Sequence, residues 1–222
     1  AAATVPITFF TAVYALGELA HIREGERVLI HGAAGGVGMA AIQYAQHKGA
    51  QIFATGGSVE KRALLRTLGA HHVYSSRDLQ FGEQILVDTE RQGVDIVLNC
   101  LAGEGFRRSL TLLRPFGRFL ELGKLDFSEN SRVGLRPFRN NVSYFGIDAD
   151  QLLVHRPDAA AAVLEEMDLL FKEGKLSPLP HRVFSARKVV DAFVHMQQSK
   201  HVGKIVVHTA DLAEDPPPST NA

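Results

Sequence analysis

The sequence predicts an α/β protein built on a doubly wound parallel sheet, and three observations carry that prediction. Short apolar runs of strand length recur between residues 27 and 147. Stretches of helical period separate the first five of them. A glycine-rich turn follows the first run, where such a sheet opens its ligand crevice.

The strand candidates are "RVLIH" (27–31), "QIFAT" (51–55), "HVYSS" (72–76), "VDIVLN" (94–99), "GRFLEL" (117–122) and "VSYFGI" (142–147). Helix candidates lie near 37–48, 59–68, 81–91 and 104–113. The runs are apolar throughout rather than alternating, which is what strands covered on both faces require. Strand–helix alternation at this spacing implies right-handed crossovers and parallel pairing. Ahead of them, "AAATVPITFFTAVYALGELA" is apolar, but it has no basic start, carries Pro6, and reaches Glu18. A spanning helix needs about 20 apolar residues, so this segment reads as a buried amphipathic helix. Its abrupt apolar start without Met gives the expectation of a piece of a longer chain.

Residues 125–140, "LDFSENSRVGLRPFRN", are polar and without clear period, and are expected to be functional or mobile. A helix follows over 157–174, then a strand–helix–strand unit in "LPHRVFSARKVVDAFVHMQQSKHVGKIVVH". The proline-rich end, within 209–222, reads as disordered.

The 222 residues are 45% hydrophobic and 22% charged, enough for one large domain or a domain with part of another. Basic and acidic residues number 24 each, so no long-range field draws in nucleic acid or an anionic membrane. Any anion must be held locally. The single cysteine, Cys100, excludes an internal disulfide and suits a reducing, cytoplasmic compartment.

The turn in "RVLIHGAAGGVGMAAIQYAQHKGA" reads A-x-G-x-x-G across Ala33, Gly35 and Gly38. Gly35 would let the backbone approach a pyrophosphate, and Gly38 would let the helix pack on the strand. The backbone of Ala33, Ala34, Gly36 and Val37 completes the cradle at the helix start. A motif placed between a strand and a helix at the head of a βαβ series predicts a Rossmann-type dinucleotide domain. Sites for NAD carry an acid about 20 residues on, which binds the ribose diol. Here that position is Thr55, followed by Gly56, Gly57 and Ser58, with Lys61, Arg62 and Arg77 nearby. An anionic 2′-phosphate needs cations and hydroxyls, so Thr55, Ser58, Lys61 and Arg77 predict NADPH. The plainer alternative is that Lys61 and Arg62 are solvated helix residues.

"HGAAGGVGMAAIQYA", "GVDIVLNCLAGE", "FGRFLELGK" and "MQQSKHVGKIVV" together resemble the enoyl reductase domains of modular polyketide synthases and animal-type fatty acid synthases. These are zinc-independent members of the medium-chain dehydrogenase/reductase superfamily, and the resemblance runs from residue 1 to about 208. It implies a linking helix (1–24), a Rossmann NADPH-binding domain (25–156), a connecting helix (157–176) and a return segment (177–208). The return segment would be the remnant of a GroES-like substrate domain. The implied reaction is NADPH-dependent reduction of an α,β-unsaturated acyl thioester on a carrier-protein domain, beside neighbouring synthase domains. The resemblance places a catalytic lysine at Lys124 and an aspartate at either Asp148 or Asp150. It lines the cofactor with Asn99, Cys100, Leu101, Ala102 and Gly123, and brings Gly203 and Lys204 to the nicotinamide end. Cys100 has no basic partner in the sequence to activate it, so packing beside the cofactor is expected. Adjacent His71 and His72 cannot chelate as an i, i+4 pair would, and no Cys/His cluster suggests a metal. Pairing of sixth strands in a homodimer is common in the superfamily. Two alternative functions stand beside it: an NADPH quinone reductase of the same superfamily, which shares the glycine turn, and a non-enzymatic nucleotide-binding module that keeps the fold.

Overall fold

The computed structural model describes residues 1–210. The expected disorder of 209–222 therefore falls, but for its first two residues, outside the described residues. The first helix, α1 (Pro6–Val13), starts on a proline, whose missing N–H costs nothing in a first turn. It runs on through a wider π-helical stretch, Tyr14–Leu19. Residues Ala2–Leu19 are long and apolar enough to cross a membrane, yet half of that stretch is buried. Phe9, Val13 and Leu16 are fully buried, and α1 packs against the helix of the glycine turn.

Six parallel strands follow: β1 (Arg27–Ile30), β2 (Gln51–Gly56), β3 (His72–Ser75), β4 (Val94–Asn99), β5 (Leu113–Glu121) and β6 (Ser143–Gly146). Their order in the sheet is β3-β2-β1-β4-β5-β6. The helices between them are α2 (Gly36–His47), α3 (Val59–Thr67), α4 (Gln80–Asp88), α5 (Glu104–Leu110) and α6 (Leu125–Ser128). This is the doubly wound fold, with its topological switch point between β1 and β4.

Period-two alternation explains why the strands are apolar throughout. Val28 and Ile30, Ile52 and Ala54, Ile96 and Leu98, and Leu120 face one core with α1 and α2. Leu29, Phe53, Val97 and Phe119 face a second core with Phe81 and Ile85 of α4 and Phe106 of α5. Each large side chain so buried contributes about 1.5–3 kcal/mol, and two covered faces leave few strand positions for polar residues.

Two stretches differ from the sequence reading. β5 begins at Leu113 rather than near 117, because Pro115 and Phe116 form an irregular bend; Phe116 has φ 64°, and the register shifts between Val94 and Ile96. Residues 125–140 hold the single-turn helix α6 and a 3-10 turn, Arg136–Asn140. Elements of one turn leave no periodicity to detect.

The rest of the chain is α7 (Ala149–His155), α8 (Pro157–Lys172), β7 (His181–Ser185), α9 (Val189–Gln197) and β8 (Lys204–His208). β7 and β8 pair in parallel as a separate two-stranded sheet. The lead-in to β8 crosses the glycine turn: the Gly203 N–H donates to the Ala34 carbonyl at 2.9 Å.

Candidate functional site

At the switch point, β1 ends in His31 and the chain turns through Gly32 into α2. Gly32 has φ 58°, a conformation glycine adopts without strain, so the turn's special residue lies one place before Ala33. A Cβ on Gly38 would sit 2.5 Å from Ala33 Cα and 2.6 Å from Gly32 O. Only glycine lets α2 lie this close to the turn. Ala33 and Ala34 are buried and serve through their backbone, and the Ala33 N–H donates to Thr55 O at 3.3 Å. The first-turn amides of α2, at Gly36, Val37 and Gly38, have no i−4 carbonyl to reach and carry the positive end of the helix dipole.

Under this turn lies a closed polar chain. His31 is 3% exposed, with Nδ1 3.0 Å from Thr55 Oγ1 and Nε2 2.8 Å from Ser109 Oγ. Ser109 donates its hydroxyl to Gly105 O at 2.7 Å, so it accepts from His31 Nε2–H, and Thr55 donates to Nδ1. Burial pushes the imidazole down to about 3, so it is neutral.

Thr55 is engaged with the turn itself. Its side chain is fully buried and bonded to His31, while the residue still borders the pocket at the β2 end. Ser58 is likewise spent locally: it caps α3, accepting the Lys61 N–H at 3.2 Å.

The pocket at the β2 end is lined by Gly32, Ala34, Gly35, Thr55, Gly56, Gly57, Lys61, Ser76, Arg77, Ser199 and His201. No carboxylate is among them. Lys61 Nζ donates to Ser199 O at 2.6 Å and Arg77 Nε to Gly57 O at 3.2 Å, so carbonyls rather than carboxylates hold both cations. Burial, and then the Arg77 charge, lower the Lys61 pKa. Two cations held side by side without an anion fit a phosphate. Burial, then Lys61, lower the His201 pKa, and its buried Nδ1 has no hydrogen-bond partner. Ser76, Ser199 and His201 escaped the sequence reading. Ser76 adjoins Arg77 and was within reach, but Ser199 and His201 are brought in by the return segment from far along the chain.

Across the switch point, Asn99 ends β4 and Cys100 and Leu101 form the loop beyond it. Cys100 lies open at the crevice floor, within reach of Gly32, yet surrounding protein pushes its thiol up to about 11, with Glu121 adding to the shift. It stays a neutral thiol. Gly123 packs beside Cys100 after β5. Lys124 follows, exposed, with Nζ donating to Ile147 O at 2.9 Å and lying 3.4 Å from Asp148 Oδ2. The structure thus pairs Lys124 with Asp148; Asp150 lies in the first turn of α7. Gly203 bridges to Gly35, and the Lys204 chain passes over Gly36, which sets both at the pyrophosphate turn. The backbone bond to Ala34 fixes the strap there.

A family model described as zinc-binding dehydrogenase matches residues 68–207. The nucleotide-binding subdomain of the enoylreductase domain of PpsC from Mycobacterium tuberculosis superimposes with a TM-score of 0.73 at 41% identity, covering 78% of this chain and 97% of that one. The chain belongs to the zinc-binding dehydrogenase family. Within it, the chain corresponds to the nucleotide-binding portion of a polyketide-synthase enoyl reductase, which implies a nicotinamide cofactor. The CurK enoyl reductase is alike with a TM-score of 0.85 at 46% identity, over 93% of this chain and 61% of that one. Highly-reducing polyketide synthase 1 of Aureobasidium melanogenum is 42% identical over 211 residues, 93% of this chain. The chain spans 10% of that synthase's length. Among the described residues there is no group of three or more His, Cys, Asp or Glu that could hold a metal ion. The crevice does fit a dinucleotide: a cradle that a Cβ would fill, and a cation pair free of carboxylates.

Proposed function

We propose that this chain binds NADPH and forms the cofactor half of an enoyl reductase that reduces α,β-unsaturated acyl thioesters within a polyketide synthase. The observation that carries the choice of NADPH is the β2-end pocket, where Lys61 and Arg77 stand with no acid to bind a ribose diol. When bound, the cofactor supplies hydride to the substrate's β-carbon. The chain's own part is orientation and charge. The first-turn amides of α2 and the Lys204 ammonium hold pyrophosphate, and Lys61 and Arg77 hold the 2′-phosphate. Asn99, Leu101 and Gly123 form the shelf for the nicotinamide end. Lys124, steadied by the Ile147 carbonyl and Asp148, is the cation for negative charge developing on the thioester oxygen, and its ammonium is a proton source for the α-carbon.

The thioester would arrive on a carrier-protein domain, with further synthase domains flanking the reductase. The open edge of β6 is where a homodimer would continue the sheet, and the lone cysteine suits the cytoplasm. Fluorescence titration of this chain with NADPH and NADH tests the reading. Tighter binding of NADPH is expected; equal binding of the two, or binding of neither by a folded chain, would refute it.

A further inference from the structure

Among the described residues, Glu121 is the single acidic side chain that is buried, at 2% exposure. It ends β5, and across the ladder from it stands Asn99, the last residue of β4. Its Oε2 accepts the Asn99 Nδ2–H at 2.6 Å, and its Oε1 accepts the Gly123 backbone N–H at 2.5 Å. Asn99 extends the hold: its Nδ2 also donates to Leu101 O at 2.7 Å, and its Oδ1 accepts the Leu101 N–H at 3.2 Å. Lys124 comes directly after Gly123. One carboxylate therefore ties the loop after β4 to the loop after β5.

Both neighbours offer only N–H groups at these points, so the group between them must accept at both oxygens. An ionised carboxylate does. A carboxylic acid keeps only a weakened acceptor on its hydroxyl oxygen, a primary amide turns a donor toward one of the two N–H groups, and a buried donor left poorly satisfied is costly.

We infer that Glu121 is a positioning residue that locks the Asn99–Leu101 loop and the Gly123–Lys124 loop into one rigid floor, and that only its ionised form does so. Protonation breaks one of the two bonds, Gly123 N–H to Oε1 or Asn99 Nδ2–H to Oε2, while the strand ladder stays whole, because the Leu122 N–H to Asn99 O and Ile147 N–H to Glu121 O bonds, both 2.9 Å, do not involve the carboxyl.

The titratable groups facing Glu121 are the Cys100 thiol from the loop after β4, the Tyr144 phenol from β6 and the Asp126 carboxylate from α6. Lys124 is engaged with Ile147 O and Asp148. Burial pushes Glu121 up, the Asn99 and Gly123 hydrogen bonds oppose it and Asp126 adds to it, leaving the group at about 7. The lock thus loosens within the neutral range.

Its consequence for Lys124 rests on the catalytic reading above; the lock itself does not. Exchange at the Gly123 backbone amide and the Asn99 side-chain amide in the ligand-free chain, read by NMR and corrected for the intrinsic pH dependence of exchange, tests it. Protection is expected to fall about tenfold as pH drops through neutrality, while the Val97 and Leu120 amides stay protected. In Glu121→Gln, either the Gly123 amide or the Asn99 side-chain amide should be unprotected at every pH with the strand amides still protected, a pattern that general loss of packing would not give. Should that variant not fold, the titration of the unmodified chain decides alone. Protection of both groups that is flat through neutral pH, or that survives at both in Glu121→Gln, overturns the inference. Failure to bind NADPH alongside a normal Gly123 titration would instead sink the cofactor reading and leave the lock standing.

Discussion

Each side of the crevice buries a titratable side chain at the end of a strand, His31 after β1 and Glu121 at the end of β5, and the two respond to pH in opposite senses. On the glycine-turn side, His31 is held neutral at about 3, against 6.5 in an unfolded chain. Below pH 6.5 the unfolded chain takes a proton that the folded one refuses, so stability falls as pH drops from 6.5 toward 3. On the Lys124 side, Glu121 sits at about 7 against 4.5. Between pH 4.5 and 7 the folded chain holds a proton that the unfolded one releases, so stability falls as pH rises. The difference follows from the partners. His31 has a donor on one side and an acceptor on the other, which is what neutral imidazole needs. Glu121 has donors on both sides, which only the costly ionised form satisfies. The nucleotide turn is therefore built from groups at rest, and the floor near Lys124 from a group under tension.

The harshest way to break this comparison is at the turn itself. Gly38→Val drives a branched side chain into the Ala33 backbone, and a loss of more than about 4 kcal/mol in urea unfolding is expected, with nucleotide binding lost. A variant that melts with the parent would mean that α2 does not approach the turn so closely.

Next in size is the pH contrast. Between pH 4.5 and 6.5 the two slopes, each at most about 1.4 kcal/mol per unit, oppose one another. Relative to the parent, His31→Gln should become less stable as pH rises through that window, and it should lose about 1–3 kcal/mol near neutrality from its broken hydrogen bonds. Glu121→Gln should instead gain stability with rising pH, relative to the parent. Denaturation series at several pH values check both signs; parallel curves for all three proteins would remove the opposition.

Arg77→Ala should weaken NADPH about 10–100-fold, the worth of one charge-assisted bond, and leave NADH nearly unchanged. Equal losses for both cofactors would take Arg77 away from the 2′-phosphate. The smallest effect on this chain is expected from Lys124→Ala, because the side chain is 57% exposed. Stability and NADPH affinity should move by no more than about 0.5 kcal/mol. In a reductase completed by its substrate domain, the same change should slow reduction of a crotonyl-type thioester; full activity there would remove Lys124 from the chemistry.

The sequence by itself determined the order of elements, the parallel sheet and the glycine turn, because strand length, helical period and a turn's conformational needs are local properties of the chain. It also pointed to Lys61 and Arg77, since both lie within a few residues of strand ends that a doubly wound sheet gathers at one crevice. Only the tertiary structure decided what each side chain does there. Thr55, one place before the end of β2, is buried and serves His31, while the bend at Pro115 and Phe116 starts β5 earlier than its apolar run suggested. Ser199, His201 and Lys204 reach the nucleotide turn because one backbone bond pins Gly203 to Ala34. Half of the Glu121 lock, its bond to the Gly123 amide, is local to one loop; the other half exists only because β4 and β5 pair in the register that sets Asn99 opposite Glu121, and pairing between strands is a property no single stretch of sequence contains.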